Sequence, residues 1–418
     1  MDADVIVIGA GLAGLQCARR LQRSGLHVRV IEAQDSVGGR VRTERIDGHL
    51  CDRGFQVLNP AYPAVRAWID RDALGLQAFG VGVRVRTPAG LRTLAHPGRH
   101  PGLIPQSLRS GLLDAVELSA LVRWLGPTLV RASVSSRATR DTTLAASLDA
   151  AGVRGPLRRD VLDTFLAGVL ADSSGGGSAN YVRLLLRSFA LGAPGLPREG
   201  MQALPEQMAR DLREPVRTAV RAHELREHAG GVTVTTDHGP ISARCAVAAV
   251  AAPDLERLLD VPAPPSHGLT TWWFSAPEAP ADDAFLRLDA SHPRGGPDGP
   301  VWNTAVVSRA APTYAPHGRH LVEATTLLDH PGGQAPEREV RAHLERIYGA
   351  STRRWEVLAH HVVPHTLPAQ PPPLVDRSPQ RISARLFMCG DHRDTASIQG
   401  ALVSGDRAAR AIGGLLRP

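Results

Sequence analysis

The chain has 418 residues, 43% of them hydrophobic, which exceeds one ordinary domain and predicts two lobes, each with its own core. The net charge is +7, yet all 48 basic residues are arginines scattered among 41 acidic residues, and aromatic residues make up only 4% of the chain. A nucleic-acid groove requires basic runs interleaved with aromatic side chains, so we expect no nucleic-acid partner.

The sequence also disfavours membrane-spanning and secreted proteins. No apolar run reaches the roughly 18 residues that a spanning helix requires. The apolar stretch near residue 5 has no basic leader and no cleavage site, so we expect no secretory signal. The cysteines are far apart and include no C-x-x-C pair, which is typical of reduced thiols in a cytoplasmic protein: Cys17, Cys51, Cys245 and Cys389.

The first predicted elements are a strand, a glycine turn and a helix. The β-branched run Val5–Ile8 stops at a glycine, and apolar residues from Leu12 to Leu21 have helical spacing. The turn reads G-x-G-x-x-G, with glycines suited to the reversal, to close approach of a pyrophosphate and to packing of the helix on the strand: Gly9, Gly11 and Gly14. A second strand, 26–31, ends at Glu32, where an acid can bind ribose hydroxyls. This pattern predicts a dinucleotide with its phosphates at the helix N-terminus.

A second glycine pair follows the acid, in the sequence Gly38-Gly39-Arg40. These residue types suit a second passage of the chain near the pyrophosphate, which a nicotinamide enzyme does not need. Together the motifs resemble the superfamily of flavin-dependent amine oxidases, phytoene desaturases and protoporphyrinogen oxidases. The resemblance implies further FAD contacts from the first turn, the acid and a segment, Cys51–Val57, that passes the flavin ring: Leu12, Ala13, Ala33, Gly54, Phe55 and Gln56.

Residues 76–199 have the pattern of a second lobe. Val81–Arg86 alternates as a strand does. The apolar spacing of Leu108–Val134 predicts a helix that either packs in the lobe's core or lies on a membrane surface, and core packing is favoured. Two more helices are predicted, joined by a flexible segment that is a candidate loop over the active site: Leu157–Leu170, Tyr181–Leu191 and Asp172–Ser178.

The stretch 198–209 resembles the superfamily's element that returns the chain to the cofactor lobe. A strand, Val216–Ala222, is expected next, and the resemblance implies that Val220 contacts adenine through its main chain. Two further strands complete this return: Gly231–Thr236 and Ala243–Val250. A second excursion into the other lobe then contains three strands and one amphipathic helix: Gly268–Phe274, Val301–Val307, His320–Thr326 and Glu337–Tyr348.

Three neighbouring histidines, His360, His361 and His365, invite a metal site. On a strand the first two would face opposite sides, and no nearby cysteine or carboxylate completes a ligand set, so we expect no metal. Residues 363–368 instead resemble the proline-rich stretch that precedes the superfamily's C-terminal cofactor motif.

The second cofactor motif lies near the C-terminus. An apolar strand delivers Gly390 and Asp391, an acid suited to ribityl hydroxyls, and a helix with a face of small residues follows. The helix N-terminus would stabilise negative charge at the flavin N1–C2=O edge. The resemblance implies cofactor contacts at Ile398, Gln399 and Ala401. A nicotinamide dehydrogenase has no use for this second site, so the paired motifs favour FAD.

The sequence departs from the superfamily pattern in three ways that bear on the reaction. The amine oxidases usually place a lysine near flavin N5, and this chain has no lysine. They usually carry an aromatic residue near the start of the C-terminal helix, where this chain has Asp394–Ile398. Both absences disfavour simple amine oxidation. No cysteine matches the position of covalent attachment, so we expect FAD to be held non-covalently.

The predicted fold is α/β: a Rossmann-like FAD-binding domain, in which a central parallel sheet carries a three-stranded antiparallel crossover, plus an α+β substrate domain. The FAD-binding domain is expected to be discontinuous, at residues 1–75, 200–262 and 355–418. The substrate-binding domain is expected at residues 76–199 and 263–354.

The favoured function is an FAD-dependent oxidoreductase that removes a hydride from a C–H bond of a largely apolar small molecule, as in desaturation, with flavin N5 as acceptor and oxygen or a quinone as electron acceptor. No catalytic acid or base is assigned. The alternatives are an amine or amino-acid oxidase that produces hydrogen peroxide, an isomerase that keeps FAD reduced, and a flavin-binding protein without catalysis. Peripheral membrane contact and the oligomeric state stay open.

Overall fold

The computed structural model describes residues 1–130, 141–328 and 333–416. Within them the strands are β1 (Ala3–Ile8), β2 (Val28–Ile31), β3 (Thr43–Ile46), β4 (His49–Asp52), β5 (Gln77–Ala78), β6 (Gly82–Thr87), β7 (Gly90–Ala95), β8 (Gly195–Leu196), β9 (Ala222–His228), β10 (Gly231–Thr236), β11 (Gly239–Ala248), β12 (Ser266–Ala276), β13 (Leu286–Asp289), β14 (Val301–Val306), β15 (His320–Leu327), β16 (Glu356–Pro368) and β17 (Leu386–Met388).

The helices of the same residues are α1 (Leu12–Arg23), α2 (Pro63–Trp68), α3 (Arg71–Leu74), α4 (Ile104–Leu108), α5 (Ala115–Val130), α6 (Leu144–Ala151), α7 (Asp163–Leu170), α8 (Ala179–Leu191), α9 (Ala203–Arg210), α10 (Ala252–Leu259), α11 (Val307–Ala310), α12 (Glu337–Tyr348) and α13 (Ile398–Leu416). A π-helical turn, Arg158–Leu162, runs directly into α7.

The first sheet is built around β1, which is apolar on both faces and buried. β1 pairs in parallel with β2 and β11, and β17 pairs in parallel with β11. β11 also turns back antiparallel onto β10, which pairs with β9. The predicted parallel sheet with a three-stranded antiparallel crossover is therefore confirmed. Buried side chains of α1 and α13 share one hydrophobic core with this sheet.

The second sheet has the order β16-β12-β15-β14-β13-β6-β7 and is antiparallel except where β13 pairs with β6. Side chains alternate across it, so Val322 and Ala324 of β15 pack with Val340 and Leu344 of α12 on one face. Glu323 and Thr325 point to the opposite face. The residue boundaries of the two domains stay a prediction.

A helical layer of α5, α6, α7 and α8 forms a further apolar core around Trp124, Leu148 and Val182. Two of these helices begin at side-chain caps, because the Thr143 hydroxyl accepts the N–H of Ala146 and the Ser178 hydroxyl accepts the N–H of Tyr181. Capping fixes α8, whose inner face reaches the site described below.

The predicted helix 108–134 is wrong at its start. α4 ends at Leu108 and α5 begins at Ala115, because Gly111 has a left-handed backbone (φ 73°) and the Ser110 hydroxyl accepts the N–H of Leu112. Residues 131–134 of that prediction lie outside the described residues.

The predicted strand Val216–Ala222 is also wrong. Ala219 has φ 55°, which breaks an extended chain, and β9 begins only at Ala222. The segment still runs beside the first sheet, because Arg217 forms an isolated bridge with Ile31.

The helical segment 104–130 leaves many apolar side chains in solvent. α5 buries Ala120 and Trp124 on one face, whereas Val116 is 73% and Val122 60% exposed, and Leu108 of α4 is 69% exposed. Core packing therefore accounts for only one face of this segment. In the described part of the chain, no helix combines the length and hydropathy needed to cross a membrane.

Candidate functional site

A cavity of about 920 Å³ is lined by residues of both sheets and of the helical layer. One group of lining residues comes from the predicted cofactor motifs, and a second group consists of aromatic and aliphatic side chains. We call the part lined by this second group the apolar chamber; its wall includes Phe79, Val161, Phe165, Val169, Tyr181, Leu185, Leu186 and Phe189.

Two of the three glycines in the turn between β1 and α1 have no room for a side chain. Gly9 has φ 103°, and a Cβ there would lie 2.5 Å from the Ala249 carbonyl oxygen. A Cβ on Gly14 would lie 2.0 Å from the Gly9 carbonyl oxygen, so α1 reaches β1 only because this position is bare. At Gly11 nothing lies within 4 Å of such a Cβ, and the residue lines the cavity. The turn therefore offers open backbone beside the N-terminus of α1.

Glu32 at the end of β2 is held by backbone groups. Its Oε2 accepts the N–H of Ala10 at 2.7 Å and its Oε1 accepts the N–H of Gln34 at 2.9 Å. Its carbonyl oxygen accepts the N–H of Val220 at 2.9 Å. Each carboxylate oxygen keeps a lone pair, and Glu32 lines the cavity, so the side chain is preorganised to accept ribose hydroxyls.

Arg40 joins the N-terminal and C-terminal motifs. Its Nη2 donates to Asp391 Oδ1 at 2.6 Å and its Nη1 donates to the Thr366 carbonyl oxygen at 2.6 Å. The Gln56 amide donates to the Arg40 carbonyl oxygen at 2.8 Å. The Asp391 side chain is only 5% exposed, so the arginine supplies the positive charge that a buried carboxylate requires.

The second motif places the start of α13 at the cavity. The Ser397 hydroxyl accepts the N–H of Gly400 at 3.0 Å and lines the cavity together with Ile398. His392 lines the cavity as well, and burial lowers its pKa to about 4, so its imidazole is neutral at pH 7. Its Nε2 has no hydrogen-bond partner among the described residues.

Most of the predicted site residues line this one cavity: Gly9, Gly11, Leu12, Ala13, Glu32, Ala33, Gly38, Gly39, Arg40, Phe55, Gln56, Val220, Gly390, Asp391, Ile398 and Ala401. Three do not. Gly14 lies behind the turn, Gly54 faces Leu269, and Gln399 Oε1 accepts the N–H of Ala64 at 2.8 Å, which ties α13 to α2. Contact of any of these residues with a cofactor stays a prediction.

The aromatic wall of the chamber was not predicted. Four of the seven phenylalanines and two of the four tyrosines of the chain line the cavity, which makes an apolar wall in a chain with few aromatic residues: Phe55, Phe79, Phe165, Phe189, Tyr62 and Tyr181. Phe55 packs edge-on against Phe79 at 5.7 Å, and Phe165 against Phe189 at 5.3 Å, between ring centroids. The spacing of Tyr181, Leu185 and Phe189 along α8 was the signal available in the sequence.

Asp52 of β4 links the β3–β4 hairpin to the second sheet. Its carboxyl accepts from the Thr43 hydroxyl at 2.5 Å, from the Met201 N–H at 3.1 Å and from the Tyr314 hydroxyl at 3.0 Å. Its carbonyl oxygen accepts from Trp273 Nε1 at 3.0 Å. Burial raises the pKa of Asp52 to about 7, although these donors act to lower it.

The three neighbouring histidines of β16 have separate surroundings. His360 stacks on Trp272 with ring centroids 3.8 Å apart, and His361 Nε2 lies 3.1 Å from Glu44 Oε2. His365 lines the cavity and its Nδ1 lies 2.7 Å from the Ser266 hydroxyl. Within the described ranges, no three His, Cys, Asp or Glu side chains are grouped as metal ligands.

The predicted loop over the active site, Asp172–Ser178, is not part of the cavity wall. Its end is fixed instead, because Ser178 donates its N–H to the Gln370 carbonyl oxygen at 2.7 Å and its hydroxyl to Asp141 at 2.7 Å.

These features define a two-lobed flavoprotein. They are a dinucleotide-binding turn on a parallel sheet, a second helix whose N-terminus faces the cofactor cavity, and one connected cavity with an aromatic chamber. The model of the family described as flavin containing amine oxidoreductase matches residues 12–413. The chain therefore belongs to this family, and its cofactor is FAD.

Curated relatives and solved structures agree with this assignment. The chain is 30% identical over 286 residues to AofH of Mycobacterium tuberculosis, which carries the name of a flavin-containing monoamine oxidase, covering 63% of this chain and 60% of the relative. It is 30% identical over 282 residues to putrescine oxidase of Kocuria rosea, covering 60% of this chain and 57% of the relative. The matched region thus spans about three fifths of these relatives.

Solved structures show the same fold over the whole chain. Wild-type putrescine oxidase bound to putrescine has a TM-score of 0.72 at 19% identity and covers 99% of both chains. Cyclohexylamine oxidase from Brevibacterium oxydans IH-35A has a TM-score of 0.71 at 18% identity and covers 100% of both chains.

The residues of the cavity fit FAD. The backbone at Gly11 is open, a buried carboxylate at Glu32 keeps free lone pairs, and the starts of α1 and α13 both face the cavity. An elongated ligand with ribose hydroxyls, two phosphates and an electron-accepting ring matches this donor and acceptor set.

Proposed function

We propose that the protein is an FAD-dependent oxidoreductase that removes a hydride from a C–H bond of a largely apolar small molecule. The observation that carries this proposal is the aromatic and aliphatic wall of the chamber beside the cofactor motifs. When bound, FAD supplies the two-electron acceptor at its N5 atom. Substrate chemistry then depends chiefly on what the chamber admits.

In this proposal, the cofactor motifs supply binding and electrostatics. Glu32 accepts ribose hydroxyls, and the N-terminus of α1 receives the phosphates. Arg40 chiefly holds the two cofactor motifs in position, because two of its N–H groups already donate to Thr366 and Asp391. The start of α13 would stabilise negative charge on the reduced ring of a bound flavin.

The chamber residues supply positioning and exclusion of water. Paired aromatic rings such as Phe165 and Phe189 present rigid apolar surfaces against which a hydrocarbon body can be oriented. Orientation of the reacting bond and a dry environment are the main contributions that a protein can make to transfer of a hydride.

The second candidate is an amine or amino-acid oxidase that produces hydrogen peroxide. The names of the relatives, monoamine oxidase and putrescine oxidase, favour it. The absence of lysine and the replacement of an aromatic residue in Asp394–Ile398 disfavour it, as the resemblance implies. An isomerase that keeps FAD reduced stays a third alternative; it would require prior reduction and would consume no oxidant.

We also propose that FAD is held non-covalently. Each of the four cysteines is buried and none is in the described wall of the cavity. Acid precipitation is expected to release all of the flavin into the supernatant, and flavin that remains with the precipitated chain would contradict this.

We propose a cytoplasmic protein in which α4 and α5 rest peripherally on a lipid surface. Both helices expose apolar side chains, and α4 is attached to the cavity wall, because its Ser107 hydroxyl accepts the N–H of Ala95, a cavity-lining residue. An apolar substrate could pass from lipid to chamber along this side. Val122→Asp is expected to abolish co-sedimentation with anionic vesicles, and unchanged binding would refute the contact.

The test of the reaction is anaerobic mixing of the oxidised holoenzyme with apolar polyenes and, separately, with amines and amino acids. We expect polyenes to bleach the visible flavin band. Bleaching by amines alone would establish the second candidate.

The test includes a matched pair of variants on α8. Phe189→Asp places a charge in the chamber and is expected to abolish bleaching while flavin stays bound. Leu191→Asp alters a side chain that is 44% exposed and outside the cavity wall, and is expected to behave like the wild type.

A further inference from the structure

The chamber wall contains two polar side chains on neighbouring strands. Asn303 of β14 is paired with Thr325 of β15 in the strand register, and both residues line the cavity. Asn303 is only 4% exposed, yet its Oδ1 has no hydrogen-bond partner among the described residues. Burying an unpaired amide is unfavourable, so this side chain is placed to pair with a group that the described protein does not supply.

Behind this pair lies a buried carboxyl group. Glu323 is fully buried, its Oε2 accepts the Thr325 hydroxyl at 3.2 Å, and its Oε1 has no partner among the described residues. Burial raises the pKa of Glu323 well above its ordinary value, which favours the uncharged acid. Thr271, which pairs with Thr325 across β12, is uncharged and its hydroxyl is also unpaired.

We propose that Asn303 and Thr325 form a polar anchor in the apolar chamber that binds a neutral oxygen group, a hydroxyl or a carbonyl, of the substrate. The inference rests on the proposed function, since it names the polar group of the molecule whose C–H bond is oxidised. The amide donates and accepts one hydrogen bond each, which suits a hydroxyl, and its N–H alone suits a carbonyl. Neither residue offers a charge, so an ammonium or a carboxylate would enter without a counter-ion.

The backbone of α7 makes room for the anchor. A Cβ on Gly168 would lie 2.2 Å from Asn303 Nδ2 and 3.3 Å from its Cγ, so the amide occupies the space of a missing side chain. Gly168→Ala is therefore expected to push the amide out of place without changing the chemistry of Asn303. This variant tests the position of the amide separately from its presence.

The experiment measures binding to the oxidised holoenzyme by perturbation of the flavin spectrum, with octanol, octylamine and octanoate as probes that share one apolar body. The wild type is expected to bind octanol at least about tenfold more tightly than either charged probe. Asn303→Leu and Gly168→Ala are each expected to weaken octanol binding about tenfold, the value of roughly one lost hydrogen bond. Glu323→Gln is expected to leave octanol binding unchanged.

The matched control is Thr270→Val. Thr270 lies on β12 but faces away from the chamber, where its hydroxyl pairs with Thr326 at 2.6 Å. This variant loses a buried hydrogen bond of the same sheet, and we expect its octanol affinity to equal that of the wild type.

Three results would overturn the anchor. Octanol affinity that is unchanged in both Asn303→Leu and Gly168→Ala would remove Asn303 from binding. Octylamine that binds more tightly than octanol and is lost in Glu323→Gln would make the site a cation site. No octanol binding by the flavin-loaded wild type would remove the site altogether. Because binding is measured without turnover, a protein that lacks flavin or cannot be reduced by dithionite refutes the proposed function instead.

Discussion

The cofactor motifs and the apolar chamber meet in one cavity but differ in how the carboxyl groups beside them are paired. At the cofactor motifs, both oxygens of Glu32 and the charge of Asp391 have protein partners. Asn303 in the chamber wall and Glu323 behind it each have an unpaired buried oxygen among the described residues. The cofactor is always the same, so the protein groups that bind it can be held in place by hydrogen bonds within the protein. A substrate enters and leaves, so it must itself supply some of the hydrogen bonds that the chamber lacks.

The largest expected effect is a loss of FAD affinity caused by a substitution in the first cofactor motif. Gly14→Val places a side chain where a Cβ already lies 2.0 Å from the Gly9 carbonyl oxygen, so α1 must move away from the turn. We expect FAD affinity to fall by up to about a hundredfold, since overpacking costs about 1–3 kcal/mol. The flavin-to-protein absorbance ratio after gel filtration measures this. Gly413→Ala, with open space at its Cβ, is the control, and full flavin content in Gly14→Val would refute the role of the turn.

A smaller effect is expected from the link between the two termini. Asp391→Ala removes the 2.6 Å partner of Arg40 and leaves the guanidinium with Thr366 alone. We expect FAD affinity to fall about tenfold, as for loss of one charged hydrogen bond of about 1.5 kcal/mol. Fluorescence titration of the apoprotein with FAD measures the change. Asp35→Ala, which removes an 82% exposed partner of Arg42, is expected to change nothing, and equal losses in both variants would contradict the assignment.

The buried carboxyl of Glu323, behind the chamber wall, predicts a pH dependence of stability. The pKa of Glu323 is raised in the folded protein, so the native state holds a proton that the unfolded state loses above about pH 4.5, and stability falls as pH rises. Glu323→Gln cannot ionise, and we expect it to raise the melting temperature by a few degrees at pH 8 but hardly at pH 5.

The control for this pH dependence is Glu345, whose pKa is shifted in the opposite direction. Hydrogen bonds from Thr352 lower the pKa of Glu345, so Glu345→Gln is expected to destabilise the protein at neutral pH and to have little effect in acid. Melting temperatures of both variants and the wild type, measured by thermal scans at pH 5 and pH 8, test these expectations. A destabilised Glu323→Gln at pH 8 would show that the carboxyl has a partner and carries charge.

The smallest expected effect concerns a tyrosine of the chamber wall. Tyr181 donates its buried hydroxyl to the Ala396 carbonyl oxygen at 2.6 Å, and Tyr181→Phe is expected to cost about 1 kcal/mol of unfolding free energy in denaturant titration. Tyr62 also lines the cavity, and Tyr62→Phe is the comparison variant, expected to cost much less. Equal losses in the two variants would show that the Tyr181–Ala396 hydrogen bond contributes nothing beyond what the Tyr62 hydroxyl contributes.

The sequence predicted cavity-lining residues where their positions are set by one short, continuous segment of the chain. The spacing from Gly9 to Glu32 is set by one strand, one turn and one helix, so it predicted residues that the structure brings to a single cavity. The C-terminal strand and helix were also predicted from local spacing. The helix boundary at Leu108 and the strand at Val216 were mispredicted because single residues, Gly111 and Ala219, adopt positive φ and interrupt otherwise regular patterns.

The chamber could not be predicted in this way, because its wall depends on long-range packing. Asn303 meets Thr325 only through the register of two strands, and Phe165 meets Phe189 only through the packing of α7 on α8. No local pattern specifies such pairs. The unpaired oxygen of Glu323 is likewise a property of the assembled sheet.

The most direct test of the central claim is stopped-flow absorbance of the holoenzyme, with its flavin first reduced by dithionite and then mixed with oxygenated buffer. A chamber built for C–H oxidation of an apolar substrate, in a chain without lysine, predicts reoxidation over minutes and an acceptor other than oxygen, such as a quinone. Reoxidation within milliseconds to a second would contradict the account and identify the protein as an oxidase.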